Sequence, residues 1–377
     1  MKSGWVTKKL GEVCEFSKEN GNWRGLAYIG LEDIESKTAR FIGSPKPRTV
    51  QSLTFRFHPG QVLYGRLRPY LQKALLAEVE GHCSTEIFPI QPTNELVAKY
   101  LLHWLLSDDI TAKIDETCRG ARMPRANMNE VLDFDIPIPP LSEQKRIVKK
   151  IDAAFEKIDA LKADAEKNLA NAKELFQSAL DEAMRPKKGW VEKRLGEVGP
   201  VCMCKRILKS QTNSEKGIPF YKIGTFGKKP NAYISKDVYE RYRALYKFPK
   251  KGEILLSAAG TIGRTVVYDG EPAYFQDSNI VWVANGEDEV LNSYLMWFYA
   301  TSPWHVTKGA TIQRLYNENI ESAEIAFPSI AEQHEIVKRL DFLSEKVKLL
   351  GHNYTQQIAD CAEMRQAILR EAFEGRL

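Results

Sequence analysis

The chain has 377 residues, a formal net charge of +5, 43% hydrophobic and 27% charged residues. That is enough for two or three domains with real cores, and no run of eighteen apolar residues exists to span a membrane. The opening MKSGWVTKKLGEV lacks the apolar stretch of a secretory signal. Six cysteines (Cys14, Cys83, Cys118, Cys202, Cys204, Cys361) contain no C-x-x-C pair and read as reduced thiols of a cytoplasmic protein. Cys202 and Cys204 have no nearby residues to complete a zinc set and read as ordinary strand residues.

Taken in chain order, the expected elements repeat. The motif GWVTKKLGEV at 4–13 opens a first body. This body has apolar runs bounded by Gly and Pro, such as Gln61–Leu63, and one helical stretch around Leu96–Leu106. The segment DIPIPPLSEQKRIVKKID at 135–152 then leads into a long helix. A second opening, GWVEKRLGEV, stands at 189–198. It is followed by a second body with a strand at Glu253–Leu256 and a helix around Val290–Tyr299. EIAFPSIAEQHEIVKRLD at 324–341 begins a second long helix. Weaker echoes lie between: Tyr28-Ile29-Gly30 with Lys222-Ile223-Gly224, and Gly120-Ala121 and Arg125 with Gly309-Ala310 and Arg314. The repeat predicts an α+β protein with domains at 1–141 and 187–330 and helices at 142–186 and 331–377. The ends of the copies match and the bodies diverge, as two readers of different targets on one scaffold would.

Both helices carry a 3.5-residue apolar repeat, the coiled-coil signature. The expected seam runs Ile147, Ile151, Ala154, Ile158, Leu161, Ala165, Asn168, Ala172, Leu175 and Ala179 in the first helix. In the second it runs Ile336, Leu340, Leu343, Val347, Leu350, Tyr354, Gln357, Cys361, Met364 and Ile368. Asn168 and Gln357 are a shared polar interruption, which can set register at a cost in stability. A further row in the first helix, Val148, Phe155, Leu169 and Phe176, becomes Val337, Ser344, Ile358 and Arg365 in the second. Such a row could pack on the chain's own bodies or dock another subunit. Ser329 and Glu332 fit a capping box for the second helix, with Ser142 the candidate cap of the first. Gly351 costs roughly 1 kcal/mol relative to Ala and could bend its helix. About 40 residues at roughly 1.5 Å each give helices of about 60 Å. Antiparallel pairing would place a body at each end of a rod with pseudo-two-fold symmetry.

The basic excess sits in the bodies. Residues 185–330 hold 21 basic and 15 acidic side chains and residues 1–141 hold 18 and 17, whereas each helix is net −1. Basic groups beside Gly and small polar residues are candidate DNA contacts. In the first body these are Arg66 and Arg68 in GRLRPY, and Arg119, Arg122 and Arg125 in CRGARMPR. In the second they are Lys205, Arg206, Arg264 in AAGTIGRT, Lys308 and Arg314. Tyr64, Tyr70 and Tyr316 interleave with them. No Walker A, G-x-G-x-x-G, amino-methyltransferase or nuclease motif is present. His58, His82, His103, His305, His334 and His352 form no ligand set. No catalytic residue and no metal site are expected.

The duplicated G-W-x-x-x-x-L-G-E-V opening, the duplicated P-x-x-E-Q-x-x-I-V-x-x-[IL]-D helix start and the closing AILREAFEGRL resemble the specificity subunit of type I restriction–modification enzymes. The resemblance covers the whole plan and is weak in the bodies. It implies two target recognition domains, each reading half of a bipartite site in double-stranded DNA, with the helices setting the gap. It implies two modification subunits that bind S-adenosylmethionine and methylate adenine N6. It further implies restriction subunits that use ATP and Mg²⁺, with no cofactor in this chain. GRLRPY and AAGTIGRT fall where such domains approach DNA. Two rivals are a two-headed protein scaffold without DNA specificity and a free-standing enzyme of unknown motif. A modification-only relative without restriction partners is a third.

Overall fold

The structure is a computed structural model that describes residues 4–23, 25–44, 46–48, 50–120, 122–301, 304 and 314–377. It divides into two compact units. Unit 1 combines residues 1–167 with 354–377, and unit 2 comprises 168–353. Each therefore owns one body, part of the first long helix (Leu141–Met184) and part of the second (Ile330–Phe373).

The opening motif and the segment before each helix are partners in a two-stranded sheet. Val6–Lys9 pairs antiparallel with Asp135–Ile138, and Val191–Arg194 with Glu324–Phe327. The L-G-E-V that follows forms one helical turn in each copy, and Leu10 and Leu195 are fully buried. The motif's glycine allows close approach. A Cβ on Gly196 would sit 3.1 Å from Glu321 Cβ, and one on Gly11 3.4 Å from Leu132 Cβ.

Each body adds two four-stranded sheets, of which one has the same strand plan in both copies. In unit 1 the central strand Val62–Gly65 lies between Ile87–Pro92 and Ala74–Leu76, with Cys14–Phe16 at the edge. In unit 2 Ile254–Ser257 lies between Ile280–Val283 and Thr265–Val267, with Val201–Met203 at the edge. The expected body helices occur as Ala98–Leu105 and Asn292–Ala300.

A glutamine from the duplicated E-Q motif joins body to helix. Gln144 is fully buried. Its Oε1 accepts from Val97 N (2.8 Å) and its Nε2 donates to the carbonyls of Glu95 (2.8 Å) and Pro139 (2.9 Å). Gln333, also fully buried, repeats all three bonds with Leu291 N (2.8 Å), Glu289 O (2.7 Å) and Pro328 O (2.9 Å). The motif's aspartate makes a second tie. Asp152 meets His103 Nε2 at 3.0 Å, and Asp341 accepts from Trp297 Nε1 at 3.0 Å. A tyrosine hydroxyl adds a third, Tyr100 to Pro137 O and Tyr294 to Ala326 O, each 2.9 Å.

The helix starts differ from expectation in one respect. Ser329 Oγ accepts from Glu332 N at 3.4 Å. Ser142, however, lies inside its helix, because Pro140 O already accepts from Glu143 N and Gln144 N. The first helix thus opens at Pro140, whose missing N–H is no loss at a helix start.

Fourteen of the twenty expected seam positions are buried or half-buried, and six are exposed. Ile147, Ile151, Ile158, Ala165, Ala172, Leu340 and Cys361 are buried, and Ile336, Leu343, Val347 and Ile368 are half-buried. Leu161 and Leu175, however, are 56% and 70% exposed, and Leu350 and Met364 are 41% and 47% exposed. Asn168 and Gln357 are exposed too, so they do not interrupt the packed face or set its register. The other packed row is the one that looked supernumerary. Phe155, Leu169, Phe176, Ser344, Ile358 and Arg365 are half-buried, and Val148 and Val337 are buried. A 3.5-residue repeat fits either neighbouring row, since 4-3 and 3-4 spacings have the same period.

Within unit 1 the two helices run antiparallel. Arg146 Nη2 donates to Leu377 O (2.8 Å), and further along Arg365 pairs with Asp159 and lies 4.1 Å over the Phe155 ring. Phe155 also meets His103 edge-on at 5.5 Å. In unit 2 Phe176 meets Trp297 edge-on at 5.7 Å, and Gly351 faces Leu169 inside an unbroken helix. Phe155 and Phe176 of this row thus pack on the chain's own bodies, while Leu169 and Arg365 pack helix against helix.

Gln144→Ala and Gln333→Ala would each strand buried backbone groups. Each is expected to lower unfolding free energy by about 2–4 kcal/mol, read from chemical denaturation. A Tm within one degree of the parent would refute the clamp. Burial also holds His103 below the usual histidine value, against the opposing Asp152 hydrogen bond. A proton that the unfolded chain takes up near its pKa of about 6.5 is refused by the folded one, so stability falls as pH drops below that value. Tm should decline from pH 7 to 5.5, and His103→Gln should flatten part of that slope.

Candidate nucleic-acid interface

In unit 1 three segments meet at the end of the central strand. The chain turning out of Val62–Gly65 bonds to the residue before Ile87–Pro92, Arg66 N to Glu86 O at 2.9 Å. It also bonds to the segment after the body helices, Ala126 N to Arg66 O at 2.9 Å and Arg68 N to Pro124 O at 2.8 Å. Arg119 and Arg125 bond to each other through their backbones, Arg119 N to Arg125 O at 3.1 Å and Arg125 N to Arg119 O at 3.2 Å. Gly120 takes φ +94° there, which a side chain would resist. Arg66, Arg68, Arg119, Arg122 and Arg125 are thereby brought onto two adjoining loops.

Unit 2 repeats the junction. Ala258 N bonds Asn279 O, and Leu315 N bonds Ala258 O, each at 2.8 Å, while Ala259 and Arg314 form a β-bridge. The pattern superposes Arg66 on Ala258 and Arg125 on Arg314. The same architecture carries different side chains.

The candidate side chains differ in how far they are engaged within the fold. Arg119 is 81% exposed and Arg122 is exposed, the latter without a hydrogen bond or ion pair among the described residues. Arg66 and Arg125 both bond Glu86, at 3.0 and 2.8 Å. Arg68 holds a left-handed backbone (φ 54°, ψ 66°), a conformation that costs a non-glycine residue about 1–3 kcal/mol. Lys205 lies 5.2 Å over the Tyr246 ring, and Arg206 Nε bonds Asp277 at 2.9 Å. Arg314 Nη2 donates to Ser278 O at 2.9 Å. Arg264 is committed further, donating to Phe226 O at 3.0 Å and so tying one turn to another. Lys308 lies outside the described residues.

Two features of this region differ from the sequence reading. Tyr64 does not interleave with the arginines: it is fully buried, whereas Tyr70 and Tyr316 are 49% and 61% exposed. All four residues of its strand, Val62–Gly65, are buried, so both faces of that strand are covered. Lys209 and Lys222 were missed. They line a cavity of about 380 Å³ together with Arg206, Asp277 and Asn279. The run KRILK signals Lys209 only weakly, and nothing in the sequence brings Lys222 to it. A larger cavity of about 970 Å³ in unit 1, lined by Phe41, Leu75, His103 and Phe155, contains none of the candidate arginines.

No group of three or more His, Cys, Asp or Glu among the described residues could hold a metal ion. All six cysteines are free. Burial pushes the Cys14 thiol up to about 12 and the Cys118 thiol up to about 11, the reverse of an activated nucleophile.

A family described as the type I restriction modification DNA specificity domain matches residues 2–171 and again 187–359. The chain belongs to this family. A Haemophilus influenzae protein named as a type I restriction enzyme specificity subunit is 42% identical over 287 residues, covering 75% of this chain and 72% of its own. The specificity subunit of the Escherichia coli type I restriction enzyme EcoDI is 30% identical over 188 residues, 48% of this chain and 42% of its own. A solved chain from a study of type I restriction–modification assembly aligns over all of this chain and 99% of its own, with 26% identity and a TM-score of 0.86. The HsdS subunit of Thermoanaerobacter tengcongensis aligns over 100% and 98%, with 26% identity and a TM-score of 0.63. As a specificity subunit this chain is the DNA-recognition component of its system and not itself the enzyme.

Arg122 is the cleanest probe of the first junction, since nothing described in the fold depends on its side chain. Arg122→Ala should leave Tm unchanged. Measured in the assembled complex, it should also reduce the slope of log affinity against log salt by about one, as loss of a single phosphate contact does. An unchanged slope removes Arg122 from the interface.

Proposed function

We propose that each body reads one half of a bipartite target in double-stranded DNA through its three-segment junction, and that the two long helices set the gap between the halves. The observation that carries this reading is the junction itself. The same hydrogen-bonded frame occurs in both copies, with an arginine shared at one position (Arg125 and Arg314) and different side chains at others, such as Arg66 against Ala258. A constant frame with variable side chains is what two different base sequences require, because phosphates position a protein and base edges specify it. Arg66, Arg68, Arg119, Arg122 and Arg125 serve one half-site, and Lys205, Arg206, Arg264, Lys308 and Arg314 the other.

The chemistry belongs to partners. Two modification subunits bring S-adenosylmethionine and methylate adenine N6, which requires the base to leave the stack. Restriction subunits bring ATP, Mg²⁺ and cleavage. This chain contributes the address and no cofactor, and it acts in the cytoplasm where the DNA is.

The test is a methylation map. The chain is co-expressed with the modification subunit encoded beside it, and host DNA is sequenced for modified bases. Adenine methylation at one bipartite motif, lost when this chain is omitted, is the expected result. No new methylation, with the partner active on another specificity subunit, would instead favour a protein scaffold without DNA specificity.

A further inference from the structure

The arginine-bearing surface contains acids where a polyanion would be received. Glu86 stands at the entry to Ile87–Pro92, and its side chain is 21% exposed. One oxygen takes Arg66 Nε at 3.0 Å and the other takes Arg125 Nε at 2.8 Å. The Arg66 guanidinium also lies 5.3 Å over the Phe88 ring. In unit 2 Asp277 stands just ahead of Ile280–Val283, 17% exposed, and takes the Nε of Arg206 at 2.9 Å, while Arg206 is 69% exposed. In each unit a mostly buried acid ahead of the equivalent strand holds an arginine by its inner nitrogen, although Glu86 occupies the place of Asn279 and Asp277 lies two residues before it.

The choice of nitrogen matters. A guanidinium bound through Nε keeps its two terminal nitrogens for another partner, and those are the fork that meets guanine O6 and N7 or a phosphate. Among the described residues the terminal nitrogens of Arg66 and Arg206 have no hydrogen-bond partner, and Arg125 Nη1 has only a long one, 3.4 Å to Met123 O. The acid therefore fixes the direction of the fork and leaves the fork open. Two effects oppose each other here. A negative charge near phosphates weakens sequence-independent attraction, while a fixed fork discriminates between bases.

We propose that Glu86 and Asp277 are positioning residues that trade general DNA affinity for discrimination, each in its own half-site. The proposal rests on the junctions being the DNA-reading surfaces. Glu86→Gln removes one charge and one of the two acceptors at nearly constant volume, and Asp277→Asn does the same in unit 2.

The experiment uses the complex with modification subunits. The methylated motif of each variant is mapped, and affinity is measured on three duplexes: the intact site, the site scrambled in one half, and unrelated DNA. Glu86→Gln should lower discrimination in one half-site roughly ten- to a hundredfold, the range expected for a misaligned bidentate contact. Its affinity for unrelated DNA should be unchanged or higher, and the other half-site should be read as before. Asp277→Asn should show the mirror result. Each variant controls for the folding of the other, since general misfolding would lose both halves together. Equal weakening on all three duplexes, or unchanged discrimination by both variants, overturns the proposal. Absence of any bipartite motif with the unaltered chain would instead overturn the DNA-reading assignment beneath it.

Discussion

Gln144 and Gln333 each complete three backbone hydrogen bonds in a site from which water is excluded. One of those bonds reaches the residue before a body helix, and another reaches the proline or its neighbour from which a long helix departs. A buried backbone group without a partner costs about 1–3 kcal/mol, so neither segment can shift independently of the other. The aspartate eight residues later repeats the constraint two turns along, with His103 or Trp297 as its donor. The direction of each helix is thus tied to the body that precedes it.

Variation is accommodated where the clamp does not reach. The junctions keep their backbone bonds in both copies while their side chains change from Arg66 to Ala258 and from Glu86 to Asn279. Each unit nevertheless has an acid beside an arginine there, Glu86 in one and Asp277, at a different position, in the other. Attraction to phosphates is indifferent to sequence, whereas the direction of a guanidinium is not.

The long helices show how one periodic signal can have two solutions. Phe155 and Phe176 are large and lie on His103 and Trp297, so their row turns inward. Their counterparts in the second helix, Ser344 and Arg365, are smaller or polar, and Arg365 is accommodated by stacking on Phe155 and pairing with Asp159. Leu161, Leu175, Leu350 and Met364 then remain outside despite their apolar character. Burial followed from what stood opposite, and hydrophobicity alone did not decide it.

The duplication, the two bodies, the two helices and the absence of known catalytic motifs were legible in the residues, because repeated motifs and a 3.5-residue period are local, linear signals. The motif letters Gln and Asp were visible as well, though their work was not, since it consists of bonds to residues about 45 positions away. Which helix row packs, whether Tyr64 is exposed, and that Lys222 joins Arg206 were decided only by tertiary structure. Each depends on a surface brought in from a distant part of the chain, and no periodicity within a segment encodes its neighbour. The same holds for Glu86: in sequence it is one acid among forty-nine, and only the fold places it between two arginines.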